Sequence, residues 1–371
     1  MTLALREMRR RPGRFGIATV ILTLIAILLM FLGGLLDGLV ASSTGAFRSQ
    51  RADALVYSAS SRNSLERSRI EPEVRRQVES VPGVTRVGGL GSVQLGGRVP
   101  GRGTRDLVPT VLFGYELAPR GLPPTPPATG TVYADDSLRA KNVVVGTTIR
   151  LGSARSAVTV VGFVSDTRYT GQGTLWGSLE TWRHVLNANR PDARVGPGVV
   201  QALVVQGGPL GRAGLPERID RATGGATRTL TITHAVNALP GVAQQRSVFN
   251  QIIGVTVVIA IVVVALFFAL LTVERTALYG VLKAIGASSR ALFAGVVLQA
   301  VVVALIASLI GIIASLTLNE LIPAGTIPFV ATPARLVSSA VVLVVAAVLG
   351  CSFSLRRVLR VDPAAAIGGT P

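Results

Sequence analysis

Four apolar stretches and one long polar insertion predict the fold class: a membrane protein with four transmembrane α-helices in a one-plus-three arrangement, and a large α+β extracytoplasmic domain between helices 1 and 2. Three observations predict it. Residues 15–36, 252–273, 291–316 and 336–355 are each mostly apolar over about 20 residues or more, enough to cross a bilayer core of roughly 30 Å as a helix. Some 210 residues between the first two stretches are polar and punctuated by Gly and Pro, long enough for a domain with its own core. Basic residues gather beside one set of span ends, as they do on the cytoplasmic side of a membrane.

In order, the segments read as follows. Residues 1–14 form a cytoplasmic segment carrying Arg6, Arg9, Arg10, Arg11 and Arg14, and 15–40 the first span. Its apolar core of about 22 residues exceeds the roughly 7–15 of a signal peptide, and Thr44-Gly45-Ala46 is a poor cleavage site, so the span is expected to be retained. Residues 41–248 are the extracytoplasmic domain, and 249–273 the second span. The loop 274–290 carries Arg275, Lys283 and Arg290 and is cytoplasmic; 291–316 is the third span. Residues 317–335 form a short outer loop whose one basic residue is Arg335, 336–355 is the fourth span, and 356–371 is a cytoplasmic tail with Arg356, Arg357 and Arg360. Both termini are thus expected inside.

The formal net charge is +18, and the lysines are Lys141 and Lys283 alone. No dense basic run in the outer domain, few aromatics and no recognisable module argue against nucleic acid as a partner. Anionic lipid headgroups suit juxtamembrane arginines better. A lone cysteine, Cys351, excludes an intrachain disulfide, and His184 and His234 are too isolated to imply a metal site.

Within the domain, Glu71 to Val78 reads as a helix with Pro72 in its first turn. Residues 84–87, 92–95, 143–145, 148–151, 157–164 and 199–205 read as strands, 119–127 as a proline-rich connector, 215–222 as a helix and 227–233 as β-rich. Asp135-Asp136 reads as a solvated turn, and Trp176 and Trp182 as domain core or a membrane-proximal surface. Gly88-Gly89-Leu90-Gly91 lacks the strand–helix context of a nucleotide loop. No nucleophile, acid–base pair or metal-ligand cluster is present, so no catalytic, cofactor-binding or metal residues are expected.

The sharpest motif lies in the second loop, from Glu274 and Arg275 to Ser288. Leu278, Val281, Leu282 and Ile285 recur at helical spacing, with Gly286 as a stop and Ser288 or Ser289 as the next cap. The apolar face of such a helix must be covered by the lipid interface or by a protein partner. In the third span Ala307, Gly311 and Ser315 form a small-residue stripe suited to close packing, within the chain or across a dimer. Gln299, in the same span, is read as a helix-packing residue.

Leu282-Lys283-Ala284-Ile285-Gly286-Ala287-Ser288, preceded by Glu274-Arg275, resembles the cytoplasmic signature of FtsX-like permeases, the membrane subunits of MacB, LolC/LolE and DevC type ABC systems. The tail Leu355-Arg356-Arg357-Val358-Leu359-Arg360-Val361-Asp362-Pro363-Ala364 is similar to that family's ending. Val81-Pro82-Gly83-Val84, Val145 to Leu151 and Val158 to Val164 resemble the MacB-type periplasmic core. Arg14-Phe15 through Val56 is most similar to DevC-type subunits.

The resemblance implies a permease subunit in the bacterial cytoplasmic membrane, working as a homodimer or heterodimer with two copies of a separate ATPase. The coupling surface would be Glu274, Arg275, Leu278, Gly280, Leu282, Lys283, Ala284, Ile285, Gly286, Ala287 and Ser288. ATP would be used by the partner: the chain has no Gly-x-x-x-x-Gly-Lys-[Ser/Thr] loop and is not expected to be an enzyme. Export or extraction of a lipid, drug or peptide, or regulation of a partner, with or without an extracytoplasmic adaptor, are the expected tasks. The alternative is a membrane-anchored extracytoplasmic sensor or binding protein without an ATPase.

Overall fold

The computed structural model describes residues 12–101, 103, 106–208, 213–274, 288–322 and 327–358. The chain divides into two compact units, Met1–Gly38 with Arg246–Pro371, and Leu39–Gln245.

The first unit is helical. Its elements are α1 (Pro12–Arg48, shared with the second unit), α6 (Val242–Val273, likewise shared), α7 (Ser289–Leu321) and α8 (Pro333–Val358). Among the described residues, four helices are long and apolar enough to cross a membrane. At 1.5 Å per residue, the 37 residues of α1 extend about 55 Å, well beyond a ~30 Å hydrocarbon core.

Alanines (Ala18, Ala26, Ala260, Ala300, Ala304, Ala307 and Ala347) share the buried interior of this unit with larger residues such as Phe15, Leu22, Val264, Phe268 and Leu343. Large aliphatics point outward, among them Leu24, Val255, Leu266, Leu309 and Val337, each about 60% exposed. The buried alanines let backbones approach closely, and the outward aliphatics suit contact with lipid. In water so large an exposed apolar surface would drive association.

The second unit holds β1 (Ala54–Ser58), α2 (Pro72–Glu79), β2 (Val84–Arg98), β3 (Val108–Tyr115), β4 (Thr131–Asp135), β5 (Thr148–Leu151), β6 (Ser156–Val164), β7 (Gly173–Ser178), α3 (Leu179–Asn189), β8 (Ala202–Gly207), α4 (Leu215–Ala222), β9 (Thr227–Thr231) and α5 (Ile232–Asn237). The strands form one mixed sheet in the order β3-β7-β4-β6-β5-β2-β8-β1-β9, with β3 also paired to β2. Elements β1-α2-β2-β8-α4-β9 make an antiparallel β-α-β-β-α-β arrangement.

The period-two alternation of strands sorts its core. Ala54, Val56, Leu203 and Val205 face Val78, Leu215 and Ile219 of the helices. Leu55, Tyr57, Ala202 and Val204 face the opposite way, in a core with Phe47 and Val236.

Strands β3 to β7 are inserted between β2 and β8. They close a six-strand ring, β2-β3-β7-β4-β6-β5, which returns to β2 at Gly97 opposite Leu151 and Arg98 opposite Arg150. Pairs β3–β7 and β4–β6 are parallel, the others antiparallel.

Three expectations are corrected. Residues 84–87 and 92–95 belong to one 15-residue strand, because the intervening glycines sit in the ladder. A Cβ on Gly91 would strike the Trp182 ring, and one on Gly114 would lie 2.6 Å from Trp182 Cβ, so these positions make room for the indole. Residues 143–145 are a turn: Asn142 is left-handed (φ 64°), and Val144 N–H donates to Thr147 Oγ1 at 3.0 Å.

Asp135 is 2% exposed, hence no solvated turn. Its Oδ1 accepts from Ser137 N and Oγ at 3.0 and 2.5 Å, and its Oδ2 accepts from Thr167 N and Oγ1 at 3.0 and 2.7 Å. Since the Thr167 hydroxyl donates to the carboxylate, Thr174 donates to Thr167 (2.9 Å) and in turn accepts from Trp176 Nε1 (2.9 Å). A buried carboxylate thus anchors a chain of mutually polarised bonds. Trp176 and Trp182 are both fully buried core residues.

Candidate coupling region and packing of the spans

The motif that carried the functional expectation lies between α6 and α7. Of it, Arg275, Leu278, Gly280, Leu282, Lys283, Ala284, Ile285, Gly286 and Ala287 lie outside the described residues. Its two ends are placed. Glu274 is exposed and continues the turn of α6, its N–H donating to Leu270 O at 3.1 Å. Ser288 is exposed immediately before α7.

The packing residues of the third span are all placed in α7. Ala307 and Ser315 are buried, at 0% and 2% exposure, and Gln299 is buried as well. A Cβ on Gly311 would lie 3.0 Å from Ala26 Cβ and 3.2 Å from Met30 Sδ, so this part of the stripe packs against α1 of the same chain. A second close approach joins α8 to α6, where a Cβ on Gly350 would come within 2.5 Å of Ile261 O.

One constellation was not anticipated. Arg335, in the first turn of α8, grips Asp37 of α1 with two bonds, Nη2 to Oδ1 at 2.5 Å and Nε to Oδ2 at 3.0 Å. Thr332 Oγ1 adds a third at 3.3 Å. Both charged side chains are roughly one-third exposed or less. The signal was in the sequence: Asp37 is the one acidic residue of an otherwise apolar helix, and such a residue seeks a partner. Through this pair Arg335, the basic residue of the short segment 317–335, is neutralised.

In the second unit burial raises the pKa of three tyrosines. Burial pushes Tyr115 up to about 12, and it pushes Tyr57 and Tyr169 further in the same direction. Among the described residues no group of three or more His, Cys, Asp and Glu side chains could hold a metal ion.

Comparison with known proteins addresses the chain as a whole. Residues 250–363 match the FtsX-like permease C-terminal family. These residues take in most of α6, the loop after it, α7 and α8. The chain is 27% identical over 374 aligned residues, 99% of each chain, to an uncharacterized ABC transporter permease of Mycobacterium tuberculosis. It is 32% identical over 127 residues to the putative hemin transport system permease protein HrtB of Staphylococcus haemolyticus, a match spanning 34% of this chain and 36% of that one. With HrtB of Staphylococcus epidermidis the identity is 22% over 370 residues, covering 100% and 99% of the two chains.

Among solved structures, the periplasmic region of MacB from Actinobacillus actinomycetemcomitans aligns at TM-score 0.36 and 12% identity, over 52% of this chain and 95% of that one. The chain thus carries an FtsX-like permease domain, and its relatives along the full length are ABC transporter permeases.

Proposed function

We propose that the chain is the membrane subunit of an ABC transporter whose ATPase is a separate polypeptide, and that residues 274–288 are the surface on which that ATPase docks. One observation carries the reading: the family match over 250–363 takes in this loop together with the three spans that hold it. The chain lacks the phosphate loop that ATP hydrolysis would require. Closure of the ATPases would push on the loop between α6 and α7, and the spans would transmit the motion to the inserted domain. The length of α1, a single helix from Pro12 to Arg48, suits a rigid transmission element.

Both termini and the docking loop face the cytoplasm in this reading, and the inserted domain lies outside. The basic residues of the short segments support that orientation, as does the pairing of Arg335 with Asp37. The unit's buried interior is an apolar cluster of alanines with leucine, valine and phenylalanine. Amphiphilic cargo handled from the membrane, or purely mechanical control of a partner, fits this interior better than a polar solute. The relatives named for hemin transport point to the same amphiphilic class.

The test is substitution in the loop. Leu282→Asp and Gly286→Asp should abolish co-purification of the ATPase while leaving membrane insertion intact. Undiminished ATPase binding by both variants would remove the docking role from this segment.

A further inference from the structure

We infer that Asp37 and Arg335 are positioning residues that join the first and last spans into one moving body, and that this joint stays closed throughout the transport cycle. The inference rests on the permease reading above.

The joint is more than an ion pair. Residues just before α8 lie along α1: Val330 N–H donates to Gly34 O at 3.1 Å, and Phe329 stacks on Phe31 with ring centroids 5.6 Å apart and planes 21° from parallel. Three glycines of α1 make the space. A Cβ on Gly33 would lie 2.6 Å from Arg335 Cδ, one on Gly34 2.5 Å from the Phe329 ring, and one on Gly38 would collide with the backbone carbonyl of Pro328. Helix-interior glycines disfavour the helix relative to alanine. Three within six residues make sense where close approach is required. Both side chains are only partly exposed, so each gains from the other as partner. Fork-on-carboxylate geometry fixes direction as well as distance. Together these contacts lock α1 against α8 in rotation and depth at the end of the span that leads into the inserted domain. A push delivered to the last spans is then felt by α1.

The opposite possibility, a latch that must open in each cycle, makes a different prediction, and covalent rebuilding separates the two. In a Cys351→Ala background of the full-length chain, Asp37→Cys and Arg335→Cys cut the joint. ATP turnover of the purified complex should fall about fivefold or more, the scale of a typical coupling free energy. Bridging the two cysteines with a short bis-maleimide should restore it to near the unsubstituted rate. Turnover unchanged by cutting, or a bridged complex that stays inactive, would overturn the inference. Gly38→Ala, which displaces the 327–330 segment and leaves both charges in place, should lower turnover as well; full turnover in this variant would also count against the joint.

A measurement on the chain alone separates this inference from the permease reading. Melting shifts of Asp37→Ala, Arg335→Ala and the double variant should be strongly non-additive; additive shifts would refute the joint itself. Non-additive shifts combined with no ATP turnover from any complex of the unsubstituted chain would instead refute the permease reading.

Discussion

Replacing Asp135 by alanine should destabilise the inserted domain by about 3 kcal/mol. The carboxylate accepts four bonds. Two come from Ser137, which is partly exposed, so water replaces them at small cost. The other two come from the N–H and hydroxyl of Thr167, which is 0% exposed. A buried donor left without a partner costs about 1–3 kcal/mol. Relief of the buried charge offsets part of the sum, and ~3 kcal/mol remains. For a domain of this size that corresponds to about 6–12 °C in melting temperature.

The assay needs no isolated domain. The chain has two tryptophans, Trp176 and Trp182, both fully buried in the inserted domain, so intrinsic fluorescence of the full-length protein in detergent reports that domain alone. Trp176 Nε1 sits at the far end of the same hydrogen-bond chain, so its emission should shift even below the melting point. Asp135→Asn, which keeps one acceptor oxygen, should lose about half as much stability, since the N–H of Thr167 retains a partner. A melting temperature within a degree or two of the unsubstituted protein for Asp135→Ala would refute the claim that this carboxylate organises the core.

Other expectations follow from the same structure. Gly91→Val should cost at least about 2 kcal/mol and redden the tryptophan emission, because the new side chain and the Trp182 indole occupy one space; an unaltered spectrum would contradict this. Gly311→Val should loosen α7 from Ala26 and Met30 and lower thermal stability in detergent by about 1–3 kcal/mol, leaving the fluorescence melt of the inserted domain largely unchanged. The buried tyrosines carry folded-state pKa values above the unfolded one. Their stabilisation is therefore complete below about pH 10 and lost as pH rises through the folded values. Tyrosinate absorbance of these residues should thus appear together with loss of tryptophan fluorescence; ionisation well before unfolding would contradict their burial. A cysteine in place of Ser60, an exposed residue of the inserted domain, should react with an impermeant maleimide on intact cells, and labelling only after lysis would reverse the proposed orientation.

Much of this architecture is legible in the chain because membrane spans are read from length and hydropathy, signals that need no tertiary context. The helix after Glu71 was legible for the same local reasons, proline in the first turn above all. Strand boundaries in the inserted domain were less so. Gly88, Gly89 and Gly91 look like a break in a strand, and the reason the ladder continues lies far away in sequence: Leu117 packs over Gly88, Val200 and Leu179 over Gly89, and Trp182 over Gly91. Strands β3, β4 and β7 and helix α3 were missed outright. Glycine, proline or threonine interrupts the apolar run in the strands, and α3 buries Trp182 and Val185 against partners far away in sequence. The first helix runs eight residues past the expected span end at 40, to Arg48. The extra turns are polar by composition, but Ser42 and Thr44 return their hydroxyls to the carbonyls of Leu39 and Val40. Ala46 and Phe47 are buried in the inserted domain's own core. Asp135 was misread because turn propensity is local, whereas its burial depends on Thr167. The coupling expectation rests on resemblance and falls mostly outside the described residues; the packing stripe is legible from spacing, whereas the Asp37–Arg335 pair, whose members are 298 residues apart, is not.

The central claim is that an outside motor drives this chain through its second loop. ATP hydrolysis, measured on the purified chain alone and on the chain with the ATPase that co-purifies from its own membrane, tests this most directly. The account predicts no turnover by the chain alone, turnover by the assembled complex, and loss of that turnover when Leu282 is replaced by aspartate. Hydrolysis by the isolated chain, or full turnover in the Leu282→Asp complex, would contradict it.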